Sequence, residues 1–560
     1  MATYYVRNSL GNVSEDGSRE SPFKSLVSLY TALGGDMTNN TINIYANDTF
    51  DEAVNLAGST AGARFSGSNF VFQDYQPALS DSLRPTITRA KRDFTWSVLS
   101  GNVYISNESL NFNASYGTFG GVILEDSVPL NFVLFTTDNA TTAAAMTAGS
   151  SSFNPNTGKY LIYPRTGTPS SHTYAGSAGV FSALNIRAAH SYTVKNIILE
   201  LASGGATFGG TGADNNLGNY VYDNMIIRNM GGGYSSQTIG AGFYAGDGIS
   251  TFGDTGQYGE SYIKNSIITQ IFDAGSAPQT IDNSNIKNLH FDNCDISYCG
   301  MYGVSFVTIT GPTASVINNC SVRNSRISNI GNGFSGDRGG IGLQAYSQNS
   351  GANVKVDNCL FYNNEVSDCS TLGVSIYQPN GNNNISHRNK ISNCGTGLYL
   401  RTSTGFIAGY RNEHKYNIVE NCTIGAELHN SSTGLAGSAM RLSNNTFNNC
   451  TTGISDTAKA SDTVVITNNL IVGSATGISS AGVSTLVKST NNLSGCTTNY
   501  SGTTQQTDTL TTVTLDADYV PSTLLTGTAQ QPDVDYNGNY ANSIVGATNK
   551  ANQHIVGYFI

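Results

Sequence analysis

Alternating apolar and polar residues recur in short runs between about residue 285 and residue 480. Most runs begin at a glycine shortly after a turn that carries Asn or Cys, as in Gly373-Val-Ser-Ile. A period of two is typical of strands, and these runs lack the 3.6-residue period of a helix. Successive copies of the glycine lie 24 to 39 residues apart, at Gly303, Gly342, Gly373, Gly397, Gly425, Gly453 and Gly477.

This internal repeat is too short to bury its own apolar face, so neighbouring copies must stack on one another. Coils of parallel strands meet that need, because each strand pairs with its equivalents one turn above and below, at a distance of ~4.8 Å. We therefore predict an all-β chain folded as a right-handed parallel β-helix.

The rhythm of the repeat divides the chain into four predicted segments. Residues 1–84 form a cap and the first coils, with a short helix capped by Ser21 and with Pro22 at its first position. Residues 85–170 form a β-rich insertion, or else a long hairpin beside the coil. Residues 171–482 form the coil core, and residues 483–560 form a C-terminal cap or an oligomerisation region. Gly-rich stretches at 202–219 and 231–260 are loops of the kind that carry binding sites.

Composition narrows the class of protein. Only 12% of the residues are charged, the net charge is −10, and the chain contains 30 Tyr and 62 Gly. The absence of a basic stripe argues against nucleic acid as a partner, and no apolar run is long enough to insert into a membrane. The opening Met1-Ala-Thr-Tyr-Tyr-Val lacks the pattern of a signal peptide. We therefore expect synthesis in a host cytoplasm without one, unless a leader lies outside this sequence.

Eight of the nine cysteines fall in two slots of the repeat. Equivalent slots of stacked coils form ladders, so we expect packed thiols rather than disulfides or a metal site. The histidines show no mutual spacing that indicates a metal, and we predict no cofactor, although the aspartate-rich turns leave calcium open. The two slots hold Cys299, Cys369, Cys394, Cys422 and Cys450, and Cys294, Cys320 and Cys359.

Three stretches resemble parts of known β-helix proteins. The opening, with Tyr4-Tyr-Val-Arg, a D-G turn and Ser21-Pro-Phe, is similar to the first segment of secreted and phage-borne β-helix polysaccharide enzymes. The phrase Phe153-Asn-Pro-Asn-Thr-Gly-Lys, with Trp96 ahead of it, resembles the inserted β-domain of some β-helix glycoside hydrolases. Asp533-Val-Asp-Tyr-Asn-Gly resembles the closing phrase of many β-helix carbohydrate enzymes.

The overall resemblance is to bacteriophage tailspikes and capsule depolymerases of the pectate-lyase-like superfamily. It implies a virion tail protein that acts outside the cell on a bacterial surface polysaccharide, either capsule or O-antigen. It also implies a homotrimer and contacts with other phage tail proteins. Many functions share this scaffold, so the activity has to be argued from the site.

A first candidate site lies in the insertion-rich coils, where the motifs G-D-G-I and D-A-G contain Asp247 and Asp273. These motifs are about one repeat apart, so the two aspartates are predicted on neighbouring coils. Glycoside hydrolysis needs two carboxyl groups roughly 5 to 9.5 Å apart, one to protonate the leaving oxygen and one to attack or to activate water. The alternative is that each aspartate caps a turn, as Asp beside Gly commonly does.

Other residues of this region complete the first candidate site. Glu260 and Asp254 lie in the loop between the two motifs, and Glu260 is a reserve catalytic acid. The combined motif, G-D-G-I followed by D-A-G and then Gln, resembles a sequence motif found in β-helix glycosidases. That resemblance implies that Asp247 and Asp273 are site residues and that Gln279 binds substrate.

A second candidate site follows from strand alternation. The second and fourth residues after each repeat glycine are predicted to point outward and to stack in two ladders. Such a face would bind sugar rings, or would serve a lyase in which Arg neutralises a uronate and Tyr or His removes the C5 proton. The alternative is an ordinary solvated face. One ladder contains Tyr346, Tyr377, Arg401 and His429, and the other contains Gln344, Ser375, Tyr399 and Glu427.

The sequence thus favours a tailspike that depolymerises a bacterial surface polysaccharide, by hydrolysis first and by lyase chemistry second. Two other interpretations stay open. One is a receptor-binding spike that holds glycan without cleaving it, and the other is a secreted cellular carbohydrate enzyme.

Overall fold

The computed structural model is nearly all β and is a parallel β-helix, as the repeat predicts. The chain divides into two compact units. Unit 1 comprises residues 1–277, 295–301 and 331–338, and unit 2 comprises residues 278–294, 302–330 and 339–560. The structure describes residues 2–10, 14–51, 65–75, 83–109, 121–177, 182–202, 204–208, 219–231, 246–252, 259–280, 284–308, 315–335, 339–347, 354–378, 381, 383–402, 411–430, 439–457, 463–480, 485–502, 508, 510 and 512–515.

The coils of unit 1 place their strands in three parallel sheets, which we call sheets I, II and III in the order in which a coil visits them. Sheet I holds Ala2–Val6, Asn40–Tyr45, Val71–Tyr75, Tyr192–Lys195, Tyr220–Asp223 and Ser261–Lys264. Sheet II holds Thr49–Asp51, Thr86–Thr88, Ile198–Glu200, Ile226–Met230, Ile267–Ile271 and Asp295–Cys299. Sheet III holds Phe65–Ser68, Ser182–His190, Gly204–Phe208, Ile249–Phe252 and Ala274–Thr280, the last of which ends in unit 2.

Unit 2 follows the same order. Sheet I holds Leu289–Asp292, Ser321–Arg323, Leu360–Tyr362, Ile385–His387, Arg411–Lys415, Ala439–Ser443, Thr463–Thr467 and Thr485–Ser489. Sheet II holds Arg326–Ser328, Glu365–Ser367, Lys390–Ser392, Ile418–Glu420, Thr446–Asn448, Leu470–Val472 and Asn492–Ser494. Sheet III holds Tyr302–Thr308, Ile341–Ser347, Leu372–Gln378, Thr396–Thr402, Ile424–Asn430, Thr452–Asp456, Thr476–Ser480 and Thr498–Ser501. A small parallel sheet adds Asn285–Lys287, Ser315–Asn318 and Val354–Asp357. The coil therefore continues one turn beyond residue 482.

A β-rich insertion interrupts the coil of unit 1. One of its sheets contains Val128–Pro129, Ile123–Glu125, Tyr174–Ser177 and Ala90–Lys91, and the other contains Asn131–Phe132, Ser150–Asn154, Lys159–Tyr163, Val103–Ser106 and Trp96–Ser100. A helix at Asn139–Ala145 and a 3-10 turn at Pro169–Ser171 complete it. The insertion has its own core, in which Phe153 and Tyr160 are buried and Trp96 packs against them.

The N-terminal helix spans Leu26–Leu33, and its cap is Ser25, whose hydroxyl accepts a hydrogen bond from the Ser28 amide at 2.9 Å. The predicted cap at Ser21 is therefore wrong. The physical reason is that the chain around Phe23 is still extended: its amide donates to the Tyr5 carbonyl at 2.9 Å, which bridges the first strand. The helix can begin only after that contact ends.

The coil interior of unit 2 contains a ladder of buried asparagines, which we call the asparagine ladder. Each side-chain amide oxygen accepts two hydrogen bonds from the preceding rung, one from its main-chain N–H and one from its side-chain NH2. Buried polar groups are tolerated when they are paired in this way. The rungs are Asn364, Asn389, Asn417, Asn445, Asn469, Asn491 and finally Asp508.

The cysteines form the predicted ladders of packed thiols. All nine are free, and all except the half-buried Cys496 are buried. Among the described residues, no cluster of three or more His, Cys, Asp or Glu side chains could hold a metal ion. No helix in the described part of the chain is both long and apolar enough to cross a membrane.

Candidate glycan-binding face and carboxylate pair

Four strands of sheet III in unit 2 carry the residues of the second candidate site. Their register places Tyr346 beside Tyr377, Tyr377 beside Arg401, and Arg401 beside His429. The same register aligns Gln344, Ser375, Tyr399 and Glu427 in a parallel row. We call these two rows together the sheet III face. Core residues alternate with them, since Leu343, Val374 and Leu398 are fully buried.

The first row is a continuous stack of aromatic and cationic groups. The rings of Tyr346 and Tyr377 are 4.8 Å apart and 24° from parallel. The guanidinium carbon of Arg401 lies 4.5 Å from the centre of the Tyr377 ring, which is a cation–π contact. The Nε of Arg401 is buried and has no acceptor among the described residues. This stack therefore offers flat aromatic surface next to a cationic guanidinium group.

The second row is less exposed than strand alternation predicts. Gln344 is 5% exposed and Ser375 is fully buried. Alternation gives only the direction of a side chain, and here a small serine lies between the larger Gln344 and Tyr399. The Oε1 of Gln344 also accepts a hydrogen bond from the Ser305 hydroxyl at 3.1 Å. Tyr399 and Glu427 are partly exposed and remain the accessible members of the row.

Titratable groups gather at the C-terminal end of the sheet III face. Burial raises the pKa of Glu427, and the positive charge of Arg401 opposes that shift. The Nδ1 of His429 lies 3.7 Å from a carboxylate oxygen of Glu427 and 2.9 Å from the Thr457 hydroxyl. Burial also raises the pKa of Tyr399, again opposed by Arg401. A raised pKa keeps a carboxyl group protonated to a higher pH than usual, which suits a proton donor.

Thr457 is a member of this cluster that sequence reasoning missed. It lies just after the strand Thr452–Asp456, and its hydroxyl lies 3.3 Å from the Leu428 carbonyl. It falls outside the alternating run of its own coil, so no periodic signal marks it. Only the register of neighbouring coils brings it to His429.

The first candidate site lies in unit 1, where two segments of neighbouring coils meet. The Gly248 amide donates to the Ala274 carbonyl at 2.9 Å, and the Ser276 hydroxyl donates to the Ile249 carbonyl at 2.8 Å. These bonds place Asp247 and Asp273, each one residue earlier, at the start of adjacent sheet III strands. Asp247 is 7% exposed and Asp273 is partly exposed.

The remaining residues predicted for the first site have different surroundings. Glu260 is exposed, and its carboxylate accepts a hydrogen bond from the Tyr262 hydroxyl. Gln279 belongs to unit 2 and is partly exposed. Asp254, like the closing phrase at Asp533, lies outside the described residues. The roles of all these side chains stay predictions.

Comparison with known proteins gives only distant similarities. No protein-family model matches the sequence, and no curated protein matches it significantly. A solved complex of XylC with xylose is 12% identical, with a TM-score of 0.46, over 84% of this chain and 75% of that one. A structure described as a glycoside hydrolase is 12% identical, with a TM-score of 0.42, over 88% of this chain and 96% of that one.

One phage protein is among the similar structures. The Gp54 tailspike of Acinetobacter baumannii bacteriophage AP22, solved with A. baumannii capsular saccharide, is 9% identical, with a TM-score of 0.18. The match covers 86% of this chain and 80% of the tailspike. At these values none of the similarities carries an argument about activity, so function is argued from the side chains.

Proposed function

We propose that this protein is a tailspike that binds a bacterial surface polysaccharide along the sheet III face and depolymerises it by glycoside hydrolysis. The observation that carries the proposal is the in-register stack of Tyr346, Tyr377 and Arg401, with His429 at the next register position. A coil needs none of these side chains for its own pairing. Ordered aromatic faces beside hydrogen-bond donors are well suited to the apolar faces and hydroxyl groups of sugar rings.

The dimensions of the face suit an oligosaccharide. From Tyr346 to His429 the chain makes three steps between neighbouring strands, which is roughly 14 Å at ~4.8 Å per step. Arg401 supplies a positive charge and Glu427 a carboxyl group within this length. A polymer can therefore lie across the strands with several sugars in contact at once, which favours a polysaccharide over a single sugar.

For the hydrolytic step we assign Asp247 and Asp273 as the two carboxyl groups. One protonates the oxygen of the glycosidic bond as that bond breaks, and the other attacks the anomeric carbon or activates water. Support comes from their position just before adjacent strands and from the burial of Asp247. Glu260 is the reserve acid. It is exposed, and its carboxylate accepts a hydrogen bond from the Tyr262 hydroxyl.

A second candidate, a polysaccharide lyase, is favoured by Arg401 and its neighbours. In that reaction Tyr or His removes the C5 proton of a uronate, the C4–O bond breaks, and the product carries a double bond. Arg401 would neutralise the carboxylate of the sugar, and Glu427 would donate the proton to the leaving oxygen. Glycan binding without cleavage is the outcome if neither reaction occurs.

The test is incubation of the protein with isolated capsule or O-antigen, with reducing ends and the ultraviolet absorbance of unsaturated uronate measured in the same sample. Hydrolysis gives reducing ends alone, and a lyase gives both signals. Asp247→Asn and Asp273→Asn should each reduce hydrolysis by about 100-fold or more, since general acid–base groups contribute that much. Tyr377→Ala should weaken binding. Neither signal with binding retained would contradict the enzymatic proposal.

The proposal includes a homotrimeric tailspike in the virion, in contact with other tail proteins. Light scattering of the purified protein tests the first part. A monomeric mass at micromolar concentration would contradict it, and the binding and cleavage experiments would keep their meaning.

A further inference from the structure

A cavity of about 550 Å³ lies in unit 1 between the β-rich insertion and the sheet II strands. We call it the insertion cleft. The insertion contributes Leu124, Pro129 and Thr173 to its lining, and the coil contributes Glu200, Arg228 and Gln270. Ligand pockets typically measure roughly 300 to 1,000 Å³, so this volume suits a small molecule.

Packing fixes the walls of the insertion cleft. Leu124 of the insertion belongs to one buried cluster with Leu201 and Phe272 of the coil. The Val122 amide also donates to the Gly231 carbonyl at 3.1 Å. The cleft is therefore preformed, and a ligand would not have to order it.

The lining combines paired charges with amide groups. Arg228 donates through its Nε to a Glu200 carboxylate oxygen at 2.9 Å, across two adjacent strands. The Glu200 side chain is 13% exposed, and that of Arg228 is 43% exposed. The side-chain amides of Asn229 and Gln270 also line the cleft, and Leu124 and Pro129 add apolar surface. Hydroxyl groups that alternate with C–H groups, as on a sugar ring, match such a lining.

The backbone gives an independent reason to suspect a ligand. From Ile198 onward, the residue that follows the first three register-paired sheet II residues of each coil has a left-handed conformation, which Asn and Asp tolerate better than other side chains. In unit 2 this position is occupied by Asn329, Asp368, Asn393, Asn421 and Asn449, with φ between 53° and 56°, and by Gly473 and Gly495, with φ of 66° and 65°.

In unit 1 the same position departs from that composition. It holds Leu201, Asn229, Gln270 and Tyr298, with φ between 51° and 55°. Leu201 and Gln270 line the insertion cleft, and Tyr298 comes next in the column with 39% of its surface exposed. Left-handed residues other than Asn, Asp and Gly are more strained, and strained residues are concentrated at functional sites.

We propose that the insertion cleft binds a short saccharide of one or two sugar units, and that Gln270 determines its specificity. The choice of a saccharide rests on the proposed function, whereas the existence of the site rests on the cleft and its strained lining. The side-chain amide of Gln270 can both donate and accept a hydrogen bond, and Gln270 lines the cleft together with the Glu200–Arg228 pair. The Gln270 side chain is longer than that of Asn, the residue that the left-handed backbone conformation favours.

The experiment is saturation-transfer NMR of the full chain with glucose, galactose, glucuronate and galacturonate, each at millimolar concentration. At least one sugar should give a signal with the wild-type protein. Gln270→Asn should weaken that binding by about threefold to tenfold, the value of one hydrogen bond, while the melting temperature stays the same or rises. Relief of backbone strain explains the effect on the melting temperature. A merely structural Gln270 would show that effect without any loss of sugar binding.

Two control variants separate the possible causes. Asn393→Gln introduces the strained residue into unit 2 and should lower the melting temperature without changing sugar binding. Tyr377→Ala disturbs the sheet III face and should leave the Gln270-dependent signal in place. No signal from any of the four sugars, or an equal signal from wild type and Gln270→Asn, would overturn the inference. Polysaccharide cleavage without a cleft signal rejects this inference alone, and a cleft signal without cleavage or polysaccharide binding rejects the proposed function alone.

Discussion

Removal of one rung of the asparagine ladder should destabilise the coil far more than removal of a surface asparagine. Asn417 is fully buried, and its Oδ1 accepts hydrogen bonds from the amide and the side chain of Asn389 at 3.1 and 2.9 Å. Its own NH2 donates to the Ser386 carbonyl and to Asn445, both at 3.0 Å. Asn417→Ala removes these four bonds and a fifth from the Ser386 hydroxyl at 3.3 Å, and it leaves the buried main-chain amide of Asn389 without its acceptor.

The size of the effect follows from these contacts. Each net hydrogen bond is worth about 1 kcal/mol, and an unsatisfied buried group costs about 1–3 kcal/mol, so we expect a loss of about 4 kcal/mol. Urea denaturation monitored by circular dichroism measures it as a lower midpoint. The matched control is Asn421→Gly, an exposed turn residue with φ of 53°, whose left-handed conformation glycine adopts freely. Equal midpoints for the two variants would refute the reasoning.

Three further predictions concern protonation and thiol chemistry. Burial lowers the pKa of His414 to about 4, below the unfolded value of about 6.5. The contribution of neutral His414 to the free energy of unfolding is therefore complete above pH of about 6.5 and is lost as the pH falls to about 4. Over that range wild type should lose about 3 kcal/mol more stability than His414→Gln. Urea titrations in which the two proteins lose stability in parallel would contradict this. Because burial raises the pKa of Glu427, Glu427→Gln should raise the melting temperature at neutral pH, which calorimetry measures. A decrease would mean that the attraction between Glu427 and Arg401 outweighs the cost of burying the carboxylate. Of the nine thiols, Cys496 should react first with an aromatic disulfide reagent, and Cys496→Ser should remove the fast phase unless a buried thiol opens more readily.

The repeat made the coil and the two rows of the sheet III face predictable. Period-two alternation assigns Tyr346, Tyr377 and Arg401 to one side of their strands, and the repeat glycine fixes which of them become neighbours. Exposure was not predictable in the same way. Ser375 is buried because of the size of its neighbours, which no single strand encodes.

Contacts between distant segments were beyond the sequence argument. The asparagine ladder uses residues that look like ordinary turn formers, and only the stacked coils reveal that Asn417 is buried while Asn421 is exposed. The insertion cleft is formed by segments separated by a hundred residues or so, such as Leu124 and Arg228. Periodicity within one repeat carries no information about such a meeting.

The asparagine ladder also has a direction. Every side-chain NH2 donates to the oxygen of the next rung as well as to a carbonyl of the previous coil, and every such oxygen accepts from the previous rung, so the rungs are chemically interchangeable. Insertion or deletion of a coil that carries one asparagine would therefore leave the hydrogen-bonding pattern of the other rungs unchanged. The final rung is different, because Asp508 accepts from Asn491 and offers no amide onward. The bonding pattern of the ladder therefore repeats from rung to rung and stops at Asp508, whose carboxylate only accepts.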